Sequence, residues 1–272
     1  MILSKLGIGT YQFSSAWKKN FSRNEIYYLW DKAVDLGFNY IDLSDSYDDG
    51  YIERLFGHYI KKRKILKKNF FIATRFGQRF DYDLKSVKKS LFMSLKNLNT
   101  DHLDIYFFHS GNNNQFMNDE LWYFLNLKKK EGIIKNLGLA LKNSYLESYD
   151  NLQLLNMIKY KINYLSVVYN PIFRNIENYS KFLLVNKINV IARVPLAKGL
   201  LSGKYDFNQS HFLIDKKKQV TKIIYNKAKF FSKNKKVLPL ETLTWVKEKK
   251  FITSISVGFT NLEQLYLNSL VL

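Results

Sequence analysis

Cysteine is absent from the 272 residues, so the chain can build no disulfide, no thiolate metal site and no cysteine nucleophile. The absence fits a reducing compartment. No apolar run approaches the ~20 residues that a membrane helix needs. Met1 to Leu6 lacks the long apolar stretch of a signal peptide. Together these observations point to the cytoplasm and to no membrane partner. Acidic residues are scarce, 23 Asp and Glu against 43 Lys and Arg, for a formal net charge of +20. Such an excess suggests nucleic acid or an anionic surface. The lysines, however, are spread over nearly every helix candidate, and the densest runs, Lys128-Lys129-Lys130 and Lys216-Lys217-Lys218, fall at a helix end and in a loop. We read them as a solvated basic surface, with no nucleic-acid partner. A basic mouth attracting a phosphorylated cofactor is compatible with that surface.

Two nucleotide motifs are also missing. No GxGxxG follows the first strand candidate, and Gly199 to Lys204 departs from GxxxxGK[ST] in glycine spacing and in the residue after the lysine. What the chain does have is alternation. Short β-branched or aromatic runs at Ile8 to Phe13, Tyr40 to Leu43, Phe70 to Thr74, Leu103 to Phe108, Asn136 to Ala140, Tyr164 to Val168, Val190 to Val194 and Ser254 to Val257 read as strands. Helical patterns lie between them. Ser22 with Glu25 and Asn261 with Gln264 read as capping boxes, Asp83 and Asn118 as N-caps, and Gly37 and Gly132 as stops. Regular βα alternation predicts a parallel sheet. Eight units predict closure into a (β/α)8 TIM barrel of class α/β, an open doubly wound sheet being the rival. The stretch Tyr205 to Lys218 is the least regular and reads as a loop.

Three successive strand candidates end on a polar residue: Asp42, Arg75 and His109. In a β/α barrel the C-terminal ends of all strands meet on one face, where active sites lie, so these three side chains would converge. A polar residue after an apolar strand can be a simple strand stop, but three in a row is less easily explained that way. Tyr47 follows Asp42 by five residues, although it is one of 19 tyrosines.

From Gly37 to Gly57 the chain resembles the aldo-keto reductase signature G-[FY]-x-x-[IF]-D-T-[AS]-x-x-Y-G-x-x-E-x-x-[LI]-G, with Asp42, Ser44, Tyr47, Glu53 and Gly57 matching after small changes of spacing. Leu103 to Ser110, Glu131 to Gly138, Arg193 to Lys204 and Val257 to Asn268 resemble further segments of that family. The resemblance spans Leu6 to Asn268. It implies one barrel domain over residues 1–272, without the N-terminal hairpin and the long C-terminal loop found in many members. It also implies an NAD(P)H-dependent oxidoreductase that reduces a small aldehyde or ketone by hydride transfer. Tyr47 would be the proton donor, His109 would orient the carbonyl, and Asp42 would pair with Arg75, which stands where the family has a catalytic lysine. Because a free phenol has a pKa near ~10, Arg75 would act by lowering that of Tyr47.

The same resemblance assigns cofactor contacts to Arg193, Pro195, Leu196, Gly199, Lys204, Gly258, Asn261, Gln264 and Asn268, with NADPH favoured over NADH and no metal. It also exposes departures. Ala140-Leu141 replace a Ser-Asn pair, and Ser166 stands near a usual Gln; these positions would otherwise hold the nicotinamide amide. Those departures keep two alternatives open: a barrel with non-redox isomerase, lyase or dehydratase chemistry, and a catalytically weak binding or regulatory protein. Oligomeric state is not legible.

Overall fold

The computed structural model describes residues 3–17, 19–63, 70–142, 151–203, 226–227, 230 and 238–272. Lys204, the Tyr205 to Lys218 stretch and Lys216-Lys217-Lys218 therefore lie outside the described residues.

Eight parallel strands, β1 (Leu6–Gly9), β2 (Tyr40–Asp42), β3 (Phe71–Phe76), β4 (Leu103–His109), β5 (Ile134–Ala140), β6 (Tyr164–Val168), β7 (Asn189–Arg193) and β8 (Ile252–Val257), follow one another around a closed barrel. Closure is made by β1, whose Leu6, Gly7 and Ile8 pair with Ile255, Ser256 and Val257 of β8. Outside the barrel run α1 (Arg23–Asp35), α2 (Tyr51–Arg63), α3 (Leu84–Leu98), the single turn α4 (Asn113–Phe116), α5 (Asp119–Lys130), α6 (Asn151–Asn156), α7 (Ser180–Val185), α8 (Pro239–Lys247) and α9 (Leu262–Ser269). The open doubly wound sheet is thereby excluded.

Alternation along each strand sorts the core into two. Tyr40, Ala73, Ile105, Phe107, Ala140, Tyr164 and Ile191 pack together inside the barrel. Their neighbours Ile41, Ile72, Tyr106, Leu139, Leu165 and Val190 face outward into the larger core shared with the helices. Two interior glycines make room for rings. A Cβ on Gly7 would lie 1.9 Å from Cδ1 of Tyr40, and one on Gly138 would lie 2.2 Å from Cδ1 of Phe107. This corrects the expected first strand. It runs over Leu6–Gly9 rather than Ile8 to Phe13, and Tyr11–Phe13 form a 3-10 turn. Its Gly7 is the small residue that the Tyr40 ring requires, and Gly9 lies against Ser256 and the Val257 backbone.

The caps act as expected. Ser22 and Glu25 make a reciprocal capping box, Asp83 accepts from the Ser86 amide at 3.0 Å, and Asn118 accepts from that of Leu121 at 3.1 Å. At α9 the box is shifted by one residue. Asn261 accepts from the Gln264 amide at 2.9 Å, but Gln264 Oε1 reaches back to the amide of Thr260, at 2.8 Å.

Candidate active site

Asp42 and His109 end β2 and β4, and Arg75 is the last residue but one of β3, which runs on to Phe76. All three are on the interior face, the register pairing Asp42 with Ala73 and Arg75 with Phe107. Asp42 and Arg75 are buried. Nη2 of Arg75 donates to Oδ1 of Asp42, and Ser256 Oγ of β8 donates to the other carboxylate oxygen at 2.8 Å. The Arg75 guanidinium also donates through Nε to the Leu43 carbonyl at 3.2 Å and lies 5.6 Å from the centre of the Phe107 ring. Burial disfavours its charge, but Asp42, Tyr47 and Tyr40 outweigh burial and hold Arg75 protonated more firmly than usual. A buried pair of this kind is satisfied on both sides, and breaking it by removing one partner costs about 3–5 kcal/mol.

Tyr47 lies in the turn that follows β2, half-buried, with its ring set edge-on to Tyr11 at 5.4 Å. Its hydroxyl makes no hydrogen bond among the described residues, and its electrostatic neighbours include Arg75, Asp42 and Arg193. The expected lowering of its pKa is corrected here. Burial pushes the phenol above its ordinary value of 10, and although Arg75 and Arg193 pull it down, Asp42 and Tyr11 oppose them. The net direction is upward.

His109 is half-buried, and its Nδ1 is buried with no hydrogen-bond partner among the described residues. Burial, and the charges of Arg75 and Arg193, hold its pKa well below 6.5, so the ring is neutral at pH 7. A structural histidine in a core is normally hydrogen-bonded; the buried Nδ1 of this one has no partner among the described residues.

Across the mouth, Arg193 ends β7 and donates through Nη2 to the carbonyl of Leu141. Leu141 and Ala140 are buried apolar side chains. Ser166 shares the interior face of β6 with Tyr164, and its buried Oγ has no partner among the described residues. After β7 the backbone is strained: Val194, Ala197 and Lys198 have φ of +54°, +49° and +56°, and Gly199 has +95°. A β-branched residue such as Val194 rarely adopts a positive φ, and such outliers gather at ligand sites. Pro195 is buried and Leu196 packs against the core. After β8, Asn268 is turned inward, donating to the Gly258 carbonyl at 3.3 Å. Asn261 and Gln264 are engaged in capping, as above. Pro195, Leu196 and Gly199 lie in the loop after β7 and Gly258 and Asn261 in the loop after β8, while Arg193 ends β7 and Gln264 and Asn268 lie within α9; Lys204 is outside the described residues. Asp42, Arg75, His109 and Arg193 thus share the interior face at the C-terminal ends of their strands. Three residues the sequence reading passed over belong with them: Ser256 on Asp42, Thr10 Oγ1 on the Asp42 carbonyl at 2.7 Å, and Tyr11 against Tyr47. The inward alternation of β8 was the signal that could have located Ser256.

A model of the aldo/keto reductase family matches residues 5–270. The chain belongs to the aldo/keto reductase family. It is 28% identical over 214 residues to the uncharacterized oxidoreductase YqkF of Bacillus subtilis, covering 74% of this chain and 64% of that one. To the NADP(+) aldo-keto reductase yakc of Schizosaccharomyces pombe it is 25% identical over 229 residues, covering 78% and 65%. The chain thus spans less than two thirds of the length of either relative. Among solved structures, the holo form of aldo-keto reductase AKR11C1 from Bacillus halodurans superposes with a TM-score of 0.81 at 21% identity, over 99% of this chain and 86% of that one. At that identity the likeness concerns the fold.

Proposed function

We propose that this member of the family reduces an aldehyde or ketone with a reduced nicotinamide cofactor, Tyr47 delivering the proton to the carbonyl oxygen. The observation that carries the reading is the unpartnered Tyr47 hydroxyl in the same electrostatic environment as a buried Asp42–Arg75 pair and a neutral His109 with a buried, unpartnered ring nitrogen. Two features support a cofactor at the mouth: Ser166 Oγ is a buried polar atom with no partner among the described residues, and Val194, Ala197, Lys198 and Gly199 hold positive φ in the loop after β7. Arg193, Pro195, Leu196, Gly199, Gly258, Asn261, Gln264 and Asn268, with Lys204, are the residues we assign to its grip. NADPH is favoured over NADH by the NADP(+) dependence in the name of the Schizosaccharomyces pombe relative and by the basic surface. The cysteine-free chain suits the cytoplasm.

When bound, the cofactor supplies a hydride to the carbonyl carbon. Everything else falls to the protein. The raised pKa keeps Tyr47 protonated at rest, the state a donor needs. As negative charge grows on the substrate oxygen, the phenol surrenders its proton, and the fixed charge of Arg75 stabilises the phenolate left behind. Asp42 and Ser256 hold Arg75 in place for this. Arginine does not deprotonate, so Arg75 contributes charge and no proton relay, and Tyr47 is recharged through its exposed side. The neutral His109 ring offers a hydrogen bond that orients the carbonyl. Non-redox chemistry is the second reading, favoured by the apolar Ala140 and Leu141 where amide-binding side chains are otherwise expected.

The test is NADPH oxidation over a panel of aldehydes and ketones, for the wild type and Tyr47→Phe. The reading expects turnover in the first and a loss of about 10²–10⁴-fold in the second. Because the lost hydroxyl has no partner, unfolding midpoints should differ by less than about 0.5 kcal/mol. Equal turnover in both proteins would end the assignment of Tyr47.

A further inference from the structure

Asp45 follows Asp42 by three residues and precedes Tyr47 by two, and the chemistry above does not use it. It is 1% exposed. Past the end of β2 the chain stays laced to β3: the Leu43 amide donates to the Ala73 carbonyl at 2.9 Å and that of Asp45 to the Arg75 carbonyl at 3.4 Å. One oxygen of the Asp45 carboxyl accepts from Ser90 Oγ of α3 at 2.8 Å. Ser90 in turn accepts from the Tyr106 hydroxyl of β4 at 3.1 Å. The other carboxyl oxygen is buried and has no partner among the described residues.

The turn that Asp45 opens carries Tyr47 and then three left-handed residues, Asp48, Asp49 and Gly50, at φ +48°, +52° and +76°. A turn so strained keeps its shape only if its surroundings pin it. Asp48 pins one part, accepting from the Ser15 amide at 2.8 Å and hydroxyl at 2.5 Å. Asp45 pins the other, bridging the turn to α3.

We propose that Asp45 is a positioning residue, whose protonated carboxyl, bonded to Ser90, holds the Tyr47 turn in its working place and whose ionisation releases it. The proposal rests on the reading of Tyr47 as proton donor. The groups facing Asp45 are Glu53 of α2, Arg79 in the loop after β3, Tyr82 that follows it, and Tyr106 of β4. Glu53 is itself buried and raised in pKa by that burial, its oxygens accepting from Thr74 at 2.6 Å and Asn97 at 3.0 Å. A charged Asp45 would therefore add an anion beside a carboxyl, with one oxygen unsolvated. An unpaired buried charge costs far more than an unpartnered neutral hydroxyl. Burial, then Glu53, push the Asp45 pKa up to about 7, against the hydrogen bond from Ser90 and the charge of Arg79. The nearest relief for the ionised form is Arg79, whose Nη1 is also buried with no hydrogen bond among the described residues. Reaching it or water requires the turn to move, taking Tyr47 along.

Neither Tyr47 nor His109 titrates near neutrality, the first being raised above 10 and the second held well below 6.5. The kinetic test is therefore kcat and KM between about pH 5.5 and 9 for the wild type, Asp45→Asn and Ser90→Ala. The wild type should lose kcat about tenfold per pH unit on the alkaline side of a single ionisation, with the KM for cofactor changing less than about twofold. Asp45→Asn, permanently neutral, should be flat. Ser90→Ala removes the bond that holds the turn, and one that also favours the ionised form, so kcat should fall on the acidic plateau and the limb should move to higher pH. An alkaline limb that persists unchanged in Asp45→Asn overturns the proposal. A second readout needs no turnover: ¹³C-carboxyl titration of aspartate-labelled protein together with amide shifts of Ser46 to Gly50. Turn amides that follow the Asp45 midpoint in the wild type, and stay still in Asp45→Asn, support it. Amides indifferent to pH, or an Asp45 ionised throughout the range, refute it even if no carbonyl is ever reduced.

Discussion

The charged pair Asp42–Arg75, near the ends of β2 and β3, has its polar atoms met by internal partners, whereas Ser166 Oγ, on β6, has none among the described residues. Asp42 is met by Arg75 and Ser256, Arg75 by Asp42, the Leu43 carbonyl and the Phe107 ring, and Glu53 by Thr74 and Asn97. On the other side Ala140 and Leu141 are apolar, and Ser166 Oγ is buried without a partner among the described residues. His109 lies between, its Nδ1 unmet. The first side is fixed from within, because its charges are buried and each needs an internal partner. The second leaves polar atoms for something the protein does not itself supply. On the proposed reading, the paired charges would serve proton handling, and the grip on the cofactor would fall to few side chains and to the loops after β7 and β8.

The sharpest way to break this comparison is to remove one group from each side and measure stability by urea unfolding. Arg75→Met leaves the buried Asp42 charge alone and should destabilise by about 3–5 kcal/mol. Arg75→Lys keeps the charge and should lose less. Ser166→Ala should change stability by less than about 0.5 kcal/mol, or raise it slightly, since an unpartnered buried hydroxyl is removed. Similar losses for Arg75→Met and Ser166→Ala would show that the two sides are built alike.

Adding to the sparse side should sharpen the contrast. Ser166→Gln introduces an amide at the interior face of β6 and should tighten NADPH binding about tenfold, or about 1.4 kcal/mol, read by fluorescence titration. No change would mean that the cofactor does not pass over Ser166.

A smaller effect concerns pH. The folded-state pKa of His109 lies well below 6.5, so on acidification the unfolded chain takes up its proton first. Its contribution is present above pH 6.5 and is lost as pH falls below that value, by about 1 kcal/mol per pH unit. Asp45 runs the other way. Its folded-state pKa is raised from 3.8 to about 7, so its contribution is largest below pH 3.8 and is lost as pH rises to 7. Urea midpoints at pH 5, 6 and 7 should therefore separate the two. His109→Gln removes the acid loss and leaves the wild type's opposite slope, while Asp45→Asn removes that slope.

The paired side was the more legible in the sequence. Asp42 terminates an apolar strand and Arg75 stands one residue short of the end of the next, and neighbouring parallel strands bring their ends together. Tyr47 followed by resemblance, and the capping residues Ser22, Asp83 and Asn118 announced their helices. Ser256 escaped because its partner lies 214 residues away; the alternation of β8 turns it inward but does not say what it meets. Asp45 escaped because burial cannot be read from a polar stretch such as Leu43 to Gly50. The same blindness to burial misled the sign for Tyr47, where desolvation outweighs the arginine charge that the sequence does reveal. The bounds of β1 were misplaced for a related reason: whether Gly7 breaks a strand or admits the Tyr40 ring depends on a neighbour 33 positions on.

Calorimetric titration of the wild-type protein with NADPH, and separately with NADH, tests the central claim most directly. The account predicts saturable one-to-one binding of a reduced nicotinamide cofactor, NADPH tighter than NADH, weakened in Arg193→Met. A folded protein that binds neither cofactor would contradict it and leave the mouth to non-redox chemistry.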